Sequence, residues 1–111
     1  MKFQQRDIIL VPFPFSDQSG KKVRPVVIVS NNKFNDFSAD IIVCAITTNI
    51  IKDNYTIKID NTELEEKNIK EECCIKIENI LKIDKKLIIK KIDKIKENEF
   101  VKIIKIINSL F

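Results

Sequence analysis

Asp7-Ile8-Ile9-Leu10-Val11-Pro12-Phe13-Pro14-Phe15-Ser16-Asp17-Gln18-Ser19-Gly20-Lys21-Lys22-Val23-Arg24-Pro25-Val26-Val27-Ile28-Val29-Ser30 reads as two β-strands and the loop that separates them. Ile8 to Val11 is an apolar, β-branched run of the kind that packs on a pleated surface. It enters Pro12-Phe13-Pro14-Phe15, where two prolines forbid a central ladder position and call for an edge or a bend. Ser16 to Lys22 is polar and carries the only glycine of the chain, a loop signal between two apolar runs. Arg24 to Ser30 is continuous and β-branched, as a strand buried on both faces should be.

Outward from this block the strand signals continue. Phe34 to Asp40 reads as a short connection with two aromatics, and Ile41 to Ile46 as a central strand with a polar exit at Thr47-Thr48-Asn49. Tyr55 to Asp60 alternates apolar and polar at period two, the mark of a half-exposed strand, and Cys74 to Ile80 does so less cleanly. Asn61 to Glu72 is charged and reads as a loop with a helical turn; Lys82 to Lys96 reads as a strand pair or short helix with a solvated face. At the end, Phe100, Ile103, Ile104, Ile107 and Phe111 fall at helical spacing and predict a helix over Glu97 to Phe111. Strands followed by one terminal helix indicate a mostly β fold, a small antiparallel barrel capped by that helix.

The 111 residues suffice for one core, and the expectation is a single domain over 1–111. With 44% apolar and 32% charged residues the composition is that of a folded chain. A net charge of +4 permits a polyanionic partner without demanding one. No apolar run approaches the roughly 20 residues of a membrane span, and the start Met1 to Asp7 lacks the apolar stretch of a signal peptide. A cytoplasmic location is expected. The three cysteines fit it: Cys44 lies in an apolar run, Cys73 and Cys74 are adjacent, and none has metal or redox spacing.

The absence of histidine removes the usual acid–base pair of a ribonuclease and the histidine-dependent nucleophilic triads. A single glycine rules out the phosphate-binding glycine loops. What is left is chemistry by arginine, hydroxyls and carboxylates. Arg24 opens a strand after a basic loop, with Pro25 fixing the backbone beside it. Thr47, Thr48 and Asn49 sit at a strand end, a common home for site residues on a rigid scaffold. By pattern alone, the favoured reading is Arg24-Pro25 as a surface turn and Thr47-Thr48-Asn49 as a strand cap.

The block Asp7 to Ser30 resembles the N-terminal signature of the MazF/PemK toxins: an Asp-Ile strand, Phe-Pro-Phe, a Ser-Gly loop, then Arg-Pro and an apolar strand. Ile42 to Thr48 resembles that family's strand ending in Ile-Thr or Ile-Ser, and Glu72 to Asp84, with Glu78-Asn79-Ile80, its next strand and turn. The resemblance implies an SH3-like antiparallel β-barrel of the MazF/PemK/CcdB type. Its activity would be that of a metal-independent endoribonuclease without cofactors, a homodimer cutting single-stranded RNA at a short sequence.

By position, the resemblance makes Arg24 and Thr47 the catalytic pair, with the RNA 2′-hydroxyl as nucleophile. It places Phe15, Ser19, Gly20, Lys21, Lys22, Thr48 and Asn49 on the substrate, the lysines at phosphates and Phe13 or Phe15 as a candidate for stacking on bases. A separate antitoxin protein with an acidic, disordered tail would compete for the same basic groove. The chain departs from the family pattern at Arg6, where glycine is common, and at Leu81, where a basic or polar residue is common. Two other functions suit such a barrel: a CcdB-like gyrase poison, or an RNA- or protein-binding module without nuclease activity.

Overall fold

The computed structural model describes residues 2–13 and 22–111. β1 (Asp7–Phe13) and β2 (Lys22–Ile28) pair antiparallel, with Ile8 across from Val27 and Phe13 across from Lys22. Pro12 and Pro25 occupy positions a sheet tolerates, and Pro14 lies outside the described residues. β6 (Lys90–Lys94) pairs β1 only along Asp7–Leu10, so Pro12 lies where the strand has one neighbour. The ladder from β2 to β3 (Asp40–Thr47) begins at Val26, one residue past Pro25.

β3 pairs on its other side with the long β5 (Cys73–Asp84), which also carries β4 (Thr56–Ile59). The six-stranded order is β4-β5-β3-β2-β1-β6. Its two edges are laced together by a bridge between Leu64 and Ile95, with Glu65 N–H donating to the Lys94 carbonyl at 2.8 Å and Lys96 N–H to the Glu63 carbonyl at 2.9 Å. The sheet is thereby curled into a half-barrel, and the mostly β architecture with a C-terminal helix stands as expected.

Each face of the curl has its own apolar cluster. Ile8, Val27, Cys44, Ile46, Ile59, Leu64, Ile75, Ile77 and Ile95 fill the inside, with Phe100 and Ile103 packed onto them from α2 (Glu97–Ser109). Ile9, Val11, Val26, Ile28, Ile41, Val43 and Ala45 lie on the opposite face, covered by Phe3, Leu81, Ile83 and Ile88. This explains the continuous apolar runs of β2 and β3, which serve both clusters. It also gives Leu81 a packing role against the second cluster. A helix of 13 residues is marginal by itself, and burial of Phe100 and Ile103, at about 2 kcal/mol each, is what holds it.

Two details differ from the sequence reading, and the structure explains a third. Phe34 to Asp40 is no plain connection: α1 (Asn32–Phe37) forms there, because the Asn31 side chain caps it by accepting from Phe34 N–H at 2.8 Å. Buried Asn35 ties the helix down by donating to the Ser30 carbonyl at 2.9 Å, and both aromatics, Phe34 and Phe37, stay exposed. Phe111 does not join the apolar face of α2; the helix ends at Ser109, Phe111 is 96% exposed, and Leu110 packs in its stead. The imperfect alternation of β5 comes from a bulge. Cys44 pairs with Ile80 and the next residue, Ala45, with Lys76, so Ile77, Glu78 and Asn79 fall out of step with β3.

Among the described residues no helix is long and apolar enough to cross a membrane. At the N-terminal turn the buried Asp7 carboxylate accepts from Gln4 N–H at 2.8 Å and faces Lys91 and Lys94 at 3.3 and 3.5 Å.

Candidate functional site

β2 and β3 carry the two residues singled out from the sequence. Side chains alternate along a strand, so Arg24 falls in the row of Val26 and Ile28, and Thr47 in the row of Val43 and Ala45, both on the second apolar face. The last pair of the β2–β3 ladder is Val26 with Ala45. Two residues beyond it, Arg24 and Thr47 are the facing pair by register, and both line one cleft of about 430 Å³ at the end of the sheet.

Both side chains are half-buried. The Arg24 Nε atom is buried and finds no hydrogen-bond partner among the described residues. A buried donor left unmade costs about 1–3 kcal/mol, so an arginine held this way is poised for a ligand that supplies the acceptor. The Thr47 hydroxyl accepts from Asn49 N–H at 3.1 Å, which turns the chain sharply after β3. Thr48 lines the cleft and is exposed; Asn49 is exposed and contributes through that turn rather than as part of the lining.

Phe15, Ser19, Gly20 and Lys21 lie outside the described residues, as do the side chains of Phe13 and Lys22. The Lys22 backbone opens β2, two residues from Arg24. Apolar surface from Val23, Pro25, Ile46 and Ile92 floors the cleft.

Another part of the cleft was hidden in what reads as a charged loop. Asn68, Ile69, Lys70 and Glu71 line the cleft together with Arg24 and Thr47. A turn of 3₁₀ helix at Asn61–Glu63 begins this segment; Asp60 caps it by accepting from Thr62 N–H at 2.8 Å and the Thr62 hydroxyl at 2.7 Å. Hydrogen bonding, the Thr62 hydroxyl first and the Thr62 N–H with it, pulls the Asp60 carboxyl down to about 2. Asp93, fully buried in β6, then fastens the loop from behind. Nothing in the Lys/Ile-rich run around Asp93 marks it in sequence, because its partners are backbone groups some 25 residues away.

Cys73 also lines the cleft, but burial, reinforced by neighbouring Cys74 and nearby carboxylates, pushes its thiol up to about 12. A thiol kept protonated is no nucleophile. Among the described residues the cleft therefore offers one guanidinium and two hydroxyls, with one cation and one carboxylate from the Asn68 to Glu71 segment. Such groups can hold an anion and stabilise charge that develops on it.

Among solved structures the fold recurs in an endoribonuclease from Mycobacterial species in complex with its cognate antitoxin, with a TM-score of 0.80 and 15% identity over 96% of this chain and 92% of that one. It recurs also in the MazE–MazF structure from Deinococcus radiodurans, at a TM-score of 0.80 and 11% identity over 99% of this chain and 96% of that one. In sequence the chain is 34% identical over 96 residues to Endoribonuclease MazF of Staphylococcus epidermidis, covering 85% of this chain and 76% of that protein. Residues 4–111 match the family described as PemK-like, MazF-like toxin of type II toxin–antitoxin system. On the fold, the identity and a match over nearly its whole length, the chain belongs to the PemK/MazF family of toxins.

Proposed function

We propose that this chain is a toxin endoribonuclease that cuts single-stranded RNA at a short sequence, needs no metal or cofactor, works as a cytoplasmic homodimer of single-domain subunits, and is silenced by a cognate protein antitoxin. The observation that carries the reading is the buried Arg24 Nε, without a partner among the described residues, in one cleft with Thr47. Family membership supports it, since the staphylococcal relative bears the endoribonuclease name.

The RNA supplies its own nucleophile. Its 2′-oxygen attacks the adjacent phosphorus as the bond from phosphorus to the 5′-oxygen breaks. The 2′ proton is lost and the departing 5′-oxygen gains one, leaving a 2′,3′-cyclic phosphate and a 5′-hydroxyl. Thr47 positions the scissile phosphate by hydrogen bonding. Arg24 donates charge-assisted hydrogen bonds to the phosphorane, whose extra negative charge develops only in the transition state. The antitoxin, with an acidic segment, would compete for Arg24 and the neighbouring lysines.

The test is cleavage of a long single-stranded RNA in EDTA by the wild type beside Arg24→Ala and Thr47→Ala, with fragment ends mapped. Discrete fragments with cyclic-phosphate ends, lowered by about a hundredfold or more in each variant, are expected. RNA left intact by folded, antitoxin-free protein overturns the nuclease reading. Tight RNA binding without cleavage, falling with salt at roughly 0.7 log units per phosphate contact, would mark a binding module.

A further inference from the structure

We propose that the segment Asn68 to Glu71 is the base-reading wall of the cleft, with Lys70 and Glu71 taking the edges of bases beside the cut. Asp93 is the positioning residue that holds this wall in the cleft with Arg24 and Thr47. The proposal rests on the reading of those two residues as the site of cutting.

Three observations carry it. The first is the way Asp93 is spent. Fully buried, its Oδ1 accepts from the N–H groups of Glu66 at 2.9 Å and Lys94 at 2.7 Å, and its Oδ2 from Asn68 N–H at 2.7 Å. A buried carboxylate is costly unless it is fully hydrogen-bonded, and two of these three donors belong to the loop that forms the wall.

The second is the shape of the loop. Lys67, between those donors, stands at φ 58°, left-handed backbone that a residue with a side chain adopts only under constraint. Asn68 Nδ2 donates to the Ile92 carbonyl at 2.8 Å, and Ile69 N–H to Asn61 Oδ1 at 3.1 Å. The segment is fastened from behind while Lys70 and Glu71 stay exposed.

The third is charge. Glu72 is paired with Lys58 at 2.7 Å, whereas Lys70 and Glu71 form no ion pair among the described residues. A carboxylate repels a phosphodiester, so an RNA in this cleft runs its backbone along Arg24 and turns its bases to the wall. Glu71 accepts from donor edges: guanine N1–H and N2–H, or the amines of adenine and cytosine. Lys70 donates to ring nitrogens and carbonyl oxygens.

The experiment selects bound sequences from randomised short single-stranded RNAs, using Thr47→Ala protein so that binding is read without cutting. Glu71→Gln in this background is expected to change the preferred base at one position by about tenfold, and Lys70→Ala to change that position or its neighbour. Asp93→Asn, which presents an amide to one of its three donors, is expected to flatten both preferences. With Thr47 restored, Asp93→Asn is expected to raise KM for the best sequence by about tenfold while kcat at saturating RNA changes far less, a split that general loss of folding would not produce. Selected sequences unchanged by Glu71→Gln and Lys70→Ala overturn the wall. Should Asp93→Asn fail to fold, Asn68→Ala, cut loose from Ile92 at an exposed position, is expected to flatten the same preferences; sharp preferences there overturn the positioning role. Wild-type protein that leaves RNA intact strikes the nuclease reading, while the selection still judges the wall.

Discussion

The Arg6 guanidinium meets the Glu65 carboxylate at 3.1 Å and the Ile95 carbonyl at 3.0 Å, while the Arg6 backbone stands at φ 81°. Asp7 N–H donates to the Gln4 carbonyl at 3.0 Å, so Arg6 holds the turn position that needs positive φ and that glycine fills without steric cost. The related toxins' common glycine is thus replaced by a residue that offsets strain with two side-chain ties. Arg6→Ala keeps the strain and loses the ties, and is expected to destabilise by about 1–2 kcal/mol. Arg6→Gly loses the ties but relieves the strain, and should lie about 1 kcal/mol above Arg6→Ala. Urea titration of the three proteins checks the order; equal stabilities of the glycine and alanine variants would sink this account.

Arg24→Lys preserves the charge and discards the planar fork of donors. Cleavage is expected to fall by about tenfold or more in the lysine variant, with RNA binding at low salt nearly unchanged. Single-turnover rates beside binding curves separate the two, and a lysine variant as fast as wild type would mean that charge alone suffices.

All three cysteines are free and buried. Burial raises the Cys44 thiol from its ordinary 9.0 to about 12, with Glu78 adding to it, and Cys73 rises to about 12 in the same way. Because the folded state holds these protons more tightly than the unfolded one, their contribution is complete below about pH 9 and is lost as pH climbs towards 12. Stability by urea titration should therefore decline across that window. A thiol reagent at pH 8 should label the native protein slowly and the unfolded protein at once. Immediate labelling without unfolding would contradict the burial.

Thr56, on edge strand β4, buries a hydroxyl that finds no partner among the described residues. Thr56→Val keeps the shape and removes the unpaired polar atom, so a gain of about 1 kcal/mol is expected. Thermal unfolding of the two proteins decides it, and a lower midpoint for the valine variant refutes it.

Legibility followed the range of the forces involved. β1, β2 and β3 were readable because their apolar runs are local, and α2 because Phe100, Ile103, Ile104 and Ile107 repeat at helical spacing. α1 was not, since six residues are too few to show a period and its formation depends on a cap at Asn31 and a buried anchor at Asn35. Arg24 and Thr47 could be named only through the family resemblance, since an arginine-proline at a strand start and a threonine at a strand end suit a surface turn and a cap just as well.

From the sequence alone came the mostly β architecture, the terminal helix, the family signature and an inventory of chemistry without histidine. That Arg24 and Thr47 share a face was decided by the antiparallel register of β2 with β3, which pairs residues about 20 apart. The Asn68 to Glu71 wall needed still more: the lacing of Leu64 to Ile95 and the grip of Asp93 on Glu66 and Asn68 arise only once the sheet has curled its edges together. Backbone groups carry those bonds, and a backbone N–H is the same in every residue but proline. No pattern of side chains along the chain marks such contacts, so only the tertiary structure could place them.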